Sequence, residues 1–158
     1  MGLIFDTTEI IHLERNAEHI QELIIGVGEE PFGISIITVS ELLHGVERAT
    51  TEAIRVKRQA FVEGILEQFS VLPFDMPAAR MHARIWAILA KRGEVIGAHD
   101  LIIAATAISL DYEVVTSNKK GIYKNRRSPS SLRDLSSLQA RSRVVFTLNA
   151  SLDCCLNG

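Results

Sequence analysis

Cysteine is nearly absent from the 158 residues, and Cys154 and Cys155, the two that occur, are neighbours near the end. Adjacent cysteines cannot build a disulfide framework and lack the spacing of a structural zinc site, so the chain is expected to fold in a reducing cytoplasm without staples. At this length a hydrophobic core is large enough to do so. No apolar run approaches a membrane span: Met1-Gly2-Leu3-Ile4-Phe5 is interrupted by Asp6, with no basic stretch before it. A secreted or membrane-inserted chain is therefore not expected. Neither a Walker-type glycine loop nor a G-x-S-x-G elbow occurs, which removes the common nucleoside triphosphatase and serine hydrolase classes. The five histidines, His12, His19, His44, His82 and His99, show no helical i, i+4 pairing of the zinc-hydrolase kind. His99 stands out among them only because Asp100 follows it.

Net charge is small, −2, but it is segregated. Residues 1–118 carry 17 acids against 9 bases, whereas residues 119–143 carry eight bases against Asp134 alone. Such a split points to an anionic partner for the basic part and a cation for the acidic part, or else to a solvated tail.

Gly2 to Asp6 reads as a buried strand that ends in an acid, followed by a helical pattern through Ile10, Ile11 and Leu13, then Ile20, Leu23 and Ile24. Phe32 to Ile37 is the second strand candidate, with Thr38 or Ser40 as the cap of a helix carrying Val39, Leu42, Leu43 and Val46. This places Glu41 in that helix's first turn. Thr51 to Phe69 reads as a charged helix and Val71-Leu72-Pro73 as a short extended piece. A long helix over 77–92 and a nearly all-apolar helix over 100–110 follow, separated by a loop that Gly93 and Gly97 bracket. Val114 to Thr116 is the last clear strand. From 124 to 158 the chain reads as a polar tail, with six serines and five arginines between Asn125 and Arg143.

Strands alternating with helices imply an α/β domain with a parallel sheet covered on both faces. Ligands bind such sheets beyond the carboxyl ends of the strands, where Asp6, Glu41, Asp100 and Asn118 can all gather. Clustered carboxylates repel one another and persist mainly where a cation neutralises them; hard oxygen donors suit Mg²⁺ or Mn²⁺, and such ions serve phosphodiester cleavage. Each acid also has a structural role open to it. Asp6 with Glu9 can form a capping box, Asp100 can cap its own helix, and Glu41 points away from the apolar face of its helix and can be a solvated glutamate.

Four stretches, in order, resemble a PIN-domain ribonuclease, most closely the VapC-type toxins of toxin–antitoxin modules. They are Leu3-Ile-Phe-Asp6-Thr7, Ile34 to Ala49 around Glu41, Ile96 to Ala107 around Asp100, and Val114-Val-Thr116-Ser-Asn118. The resemblance implies a PIN-like three-layer α/β fold over residues 1–123, with a central parallel sheet flanked by helices. It implies a divalent metal, Mg²⁺ or Mn²⁺, held by Asp6, Glu41 and Asp100, with Thr116 and Asn118 bordering the site. It further implies cleavage of RNA, a homodimer in the cytoplasm, and inhibition by a cognate antitoxin. Lys119, Lys120 and Lys124 are the expected contacts to RNA phosphates. Gly121 and Ile122 depart from the family, which usually places an acid and then an aromatic there; this departure supports an alternative, a catalytically weakened PIN domain that still binds RNA or its antitoxin. A haloacid-dehalogenase-like phosphatase is disfavoured because Asp6-Thr7-Thr8 lacks a second aspartate two residues on.

Overall fold

The computed structural model describes residues 2–15 and 18–116. Asn118, Lys119, Lys120, Lys124 and the whole 124–158 tail therefore lie outside the described residues. Ten elements follow in chain order: β1 (Gly2–Phe5), α1 (Thr7–Arg15), α2 (Glu18–Val27), β2 (Phe32–Ser35), α3 (Ile36–Glu47), α4 (Glu52–Gln68), β3 (Ser70–Leu72), α5 (Met76–Arg92), α6 (Ala98–Ser109) and β4 (Tyr112–Val115). The strands form one sheet in the order β3-β2-β1-β4, parallel at every pairing.

Alternation along the strands loads both faces of this sheet. Phe5 and Ile34 point to one side, into a core with Ile10 and Leu13 of α1, Val39, Leu42 and Val46 of α3, and Val62 and Ile65 of α4. Phe5, Phe32 and Phe69 meet there edge to face, with ring centroids 5.1–6.4 Å apart. Ile4 and Val114 point to the other side, against Ile103 and Ala107 of α6. Because α6 is covered again on its outer side, where Ile85 and Leu89 of α5 meet Leu101 and Ala105, it must be apolar nearly all round. The result is the three-layer α/β arrangement that the alternation of elements implies.

Three local details differ from the expectations above. The second strand is shorter and stops at Ser35, whose hydroxyl accepts the Ile37 N–H at 3.3 Å and so caps α3. Ser35 competes better than Thr38 or Ser40 because the chain must leave the sheet there. Glu41 consequently sits in the second turn of α3. Asp6 and Glu9 do not close a capping box, since the Asp6 N–H that Glu9 would accept is given to Val115 O at 3.0 Å in the extension of the β1–β4 ladder. Glu9 Oε1 is left buried with no partner among the described residues. Finally, α6 starts at Ala98 with Gly97 as its cap residue and no side-chain cap, so Asp100 is not spent on capping.

Candidate active site

The site is built at the carboxyl edge of the sheet. Asp6 follows β1 directly and is 4% exposed, and each of its carboxylate oxygens is claimed. Oδ1 accepts the Thr7 N–H at 2.6 Å, and Oδ2 accepts the hydroxyls of Thr116 at 2.7 Å and Thr8 at 3.1 Å. Thr116, fully buried, comes from the end of β4, 110 residues away in sequence. Such charge-assisted bonds hold a buried carboxylate in one rotamer.

Glu41 reaches the same edge from α3. Its Oε2 accepts the Thr7 hydroxyl, and the His99 Nδ1–H donates to its Oε1 at 2.6 Å. Its side chain is 31% exposed, which is what a residue off the apolar stripe of α3 looks like when it leans over a site rather than into solvent. Asp100, in the first turn of α6, follows His99 and completes the group. Burial pushes the Asp100 carboxyl above the ordinary aspartate range; the negative charges of Asp6 and Glu41 push it the same way, and His99 pulls it partly back. Three carboxylates from β1, α3 and α6 thus share one electrostatic environment. Among the described residues, no lysine or arginine pairs with any of them. Gly97 belongs to this geometry, since a Cβ there would stand 2.9 Å from Asp100 Oδ2.

The donor set suits a hard divalent cation: three carboxylates that, among the described residues, no lysine or arginine pairs with and that His99 meets only at Glu41. As the side chains stand, no three His, Cys, Asp or Glu groups among the described residues surround one point as metal ligands. Glu41 is turned toward Thr7 and His99, so holding an ion requires it to change rotamer, while Asp6 is already fixed.

Thr7, Thr8 and His99 carry the positioning work and are harder to find in sequence than the acids. The signal for Thr7 and Thr8 is their place just after an acid that ends a strand; for His99 it is the neighbouring Asp100.

The profile of the PIN domain matches residues 3–127, a span that includes the acids after β1, in α3 and at the start of α6. The chain belongs to the PIN domain family. Similar proteins include ribonuclease VapC1 of Rickettsia felis, 41% identical over 123 residues that cover 76% of this chain and 87% of that protein. The tRNA(fMet)-specific endonuclease VapC of Salmonella typhimurium is 34% identical over 119 residues, covering 75% of this PIN-domain chain and 87% of its relative. Among solved structures, DNA-bound VapBC from Salmonella typhimurium superposes with a TM-score of 0.68 at 33% identity, over 76% of this chain and 89% of that one. VapBC-5 from Mycobacterium tuberculosis, a member of the VapBC family of toxin–antitoxin systems, gives a TM-score of 0.59 at 31% identity, over 75% and 87%. No helix among the described residues is long and apolar enough to cross a membrane.

Proposed function

We propose that this PIN domain is a metal-dependent endoribonuclease and the toxin of a toxin–antitoxin pair. The observation that carries this is the gathering of Asp6, Glu41 and Asp100 at one sheet edge of a chain whose relatives are ribonucleases and whose structural neighbours are VapBC complexes. Asp6, Glu41 and Asp100 would hold Mg²⁺ or Mn²⁺. Such an ion supplies an activated water and charge stabilisation for displacement at phosphorus.

The chain's own residues do the rest. Thr116, Thr8 and the Thr7 N–H fix Asp6 before any ligand arrives, so one carboxylate is preorganised. Thr7 and His99 hold Glu41 close by, at the exposed side of the site. Asp100 stands on the rigid first turn of α6. Asn118, two residues beyond Thr116, would orient a water or a phosphate oxygen, and Lys119, Lys120 and Lys124 would contact the RNA backbone. A homodimer acting in the cytoplasm and silenced by a cognate antitoxin completes the reading; the VapBC complexes among its neighbours support the antitoxin.

Purified chain incubated with RNA tests this. Cleavage is expected with Mg²⁺ or Mn²⁺, its loss with a chelator, and its loss in Asp100→Asn. Cleavage that survives both the chelator and Asp100→Asn would refute the metal site. Binding of RNA or antitoxin without cleavage under any metal would establish the weakened PIN domain instead.

A further inference from the structure

Residues 2–116 are acidic in sum, yet one helix carries bases and no acid. α5 contains Arg80, Arg84, Lys91 and Arg92 and no acid, which is four of the nine bases before residue 119. The remainder of residues 1–118 sets five bases against 17 acids. All four α5 bases are exposed, and none pairs with a carboxylate among the described residues.

At 100° per residue, Arg80, Arg84 and Lys91 fall within about 40° of one another, on the opposite side of the helix from buried Ile85 and Leu89. Ala87 lies beside them, with Ala83 on one flank and half-buried Ile88 on the other. The stripe is about 16 Å long at 1.5 Å per residue. Arg92 and Lys91 also sit in the last turn, where cations offset the helix dipole. That does not account for Arg80 and Arg84, which lie in the first half of the helix.

The α5–α6 hairpin gives the stripe a direction. Ile85 and Leu89 pack on Ala105 and Leu101, so the helices run antiparallel, and the Lys91 end of α5 lies at the end of the hairpin that carries Asp100. From there the stripe runs outward, away from the carboxylate edge.

We propose that the outward face of α5 is a binding surface for the sugar–phosphate backbone of single-stranded RNA, engaged through Arg80, Arg84 and Lys91. The proposal rests on the ribonuclease reading above and names a substrate-holding surface for it. Its occupant follows from charge complementarity. A polyanion is repelled by most of this domain, so it needs a cationic track that leads toward the carboxylate edge. Guanidinium groups suit phosphate oxygens, to which they can donate in pairs. A protein partner would be anchored by large apolar or aromatic side chains; within this stripe there is only the Ala87 methyl, half-buried Ile88 lies at its margin, and exposed Trp86 lies more than about 100° round the helix from the three cations.

The test uses the full chain, a fluorescein-labelled single-stranded RNA of mixed sequence, and a chelator to prevent cleavage. Fluorescence anisotropy over 50–300 mM KCl gives the slope of log affinity against log salt. Each lost single-strand phosphate contact removes about 0.7 from that slope. The triple variant Arg80→Gln/Arg84→Gln/Lys91→Gln is expected to lower it by about 2, and Arg84→Gln alone by about 0.7, with an unchanged circular dichroism spectrum. Arg84→Lys is expected to keep the slope. An unmodified slope in the triple variant overturns the α5 surface and leaves the ribonuclease reading standing. Failure of the unmodified chain to bind RNA at all overturns both. A triple variant that keeps its RNA slope but loses an acidic protein partner would assign the face to that partner and overturn the RNA assignment.

Discussion

Replacing Thr116 with valine removes one hydroxyl and preserves volume. That hydroxyl is fully buried and donates to Asp6 Oδ2 at 2.7 Å, and the carboxylate it serves is 4% exposed, so the bond is largely shielded from water. Among the described residues, Thr8, at 3.1 Å, is the side-chain hydroxyl left on that oxygen. A hydrogen bond to a charged group contributes about 1.5–3 kcal/mol, and leaving the acceptor buried and under-satisfied sets the cost at that level. For a chain of this size, this corresponds to a fall in melting temperature of roughly 3–12 °C. Thr116→Ser isolates the other half of the side chain: it keeps the hydroxyl and deletes a buried methyl, at about 0.5–1.5 kcal/mol by analogy with Ile→Val. Urea titrations of the metal-free variants, followed by circular dichroism, give both numbers. The valine variant is expected to lose more stability than the serine variant. Equal losses, or a smaller one for valine, would show that Thr116 acts through packing and that Asp6 does not depend on its hydroxyl.

Three further substitutions probe the site and its frame. Asp100→Asn is expected to abolish cleavage and, without metal, to stabilise the chain at neutral pH. Burial and the charges of Asp6 and Glu41 raise the folded-state pKa above the ordinary 3.8, so the folded chain binds the proton more tightly and stability falls as pH rises through that window. The gain over the parent should therefore shrink on acidification toward 3.8 and vanish below it; melting curves across pH that show a loss, or a gain independent of pH, would contradict the electrostatic origin. Gly97→Ala places a methyl 2.9 Å from Asp100 Oδ2 at an unstrained φ of −55°. It should weaken Mn²⁺ binding in calorimetric titration while leaving the melting temperature nearly unchanged. Gly33→Ala puts a Cβ 2.3 Å from the Ser70 carbonyl oxygen on the paired strand, so β2 and β3 must move apart. A loss of at least 1–3 kcal/mol is expected in urea unfolding, the ordinary cost of overpacking; an unchanged midpoint would mean that the edge strand is not held in this register.

Much of this was legible in the residues alone. Apolar runs closed by an acid or serine, and helices whose apolar residues recur at helical spacing, determine a parallel α/β sheet, because each face of such a sheet needs covering by residues of the right period. The nearly all-apolar 100–110 stretch announced a helix buried on two sides, and α6 lies between the sheet and α5. Asp6 and Asp100 were legible as acids at element ends. The absence of a capping box was not, because Asp6's N–H is taken by Val115, a residue joined to it only through the sheet, which leaves Glu9 nothing to accept there. Glu41 was the least legible, since off the apolar stripe of α3 it looks like a solvated glutamate. Only the tertiary structure, which brings Thr7 and His99 to its two oxygens from elements 34 and 58 residues away, makes it part of a site. Sequence periodicity reports which face of a helix is buried; it carries no information about what a residue on the rim of that face will meet, because that depends on the crossing of elements set by the packed core.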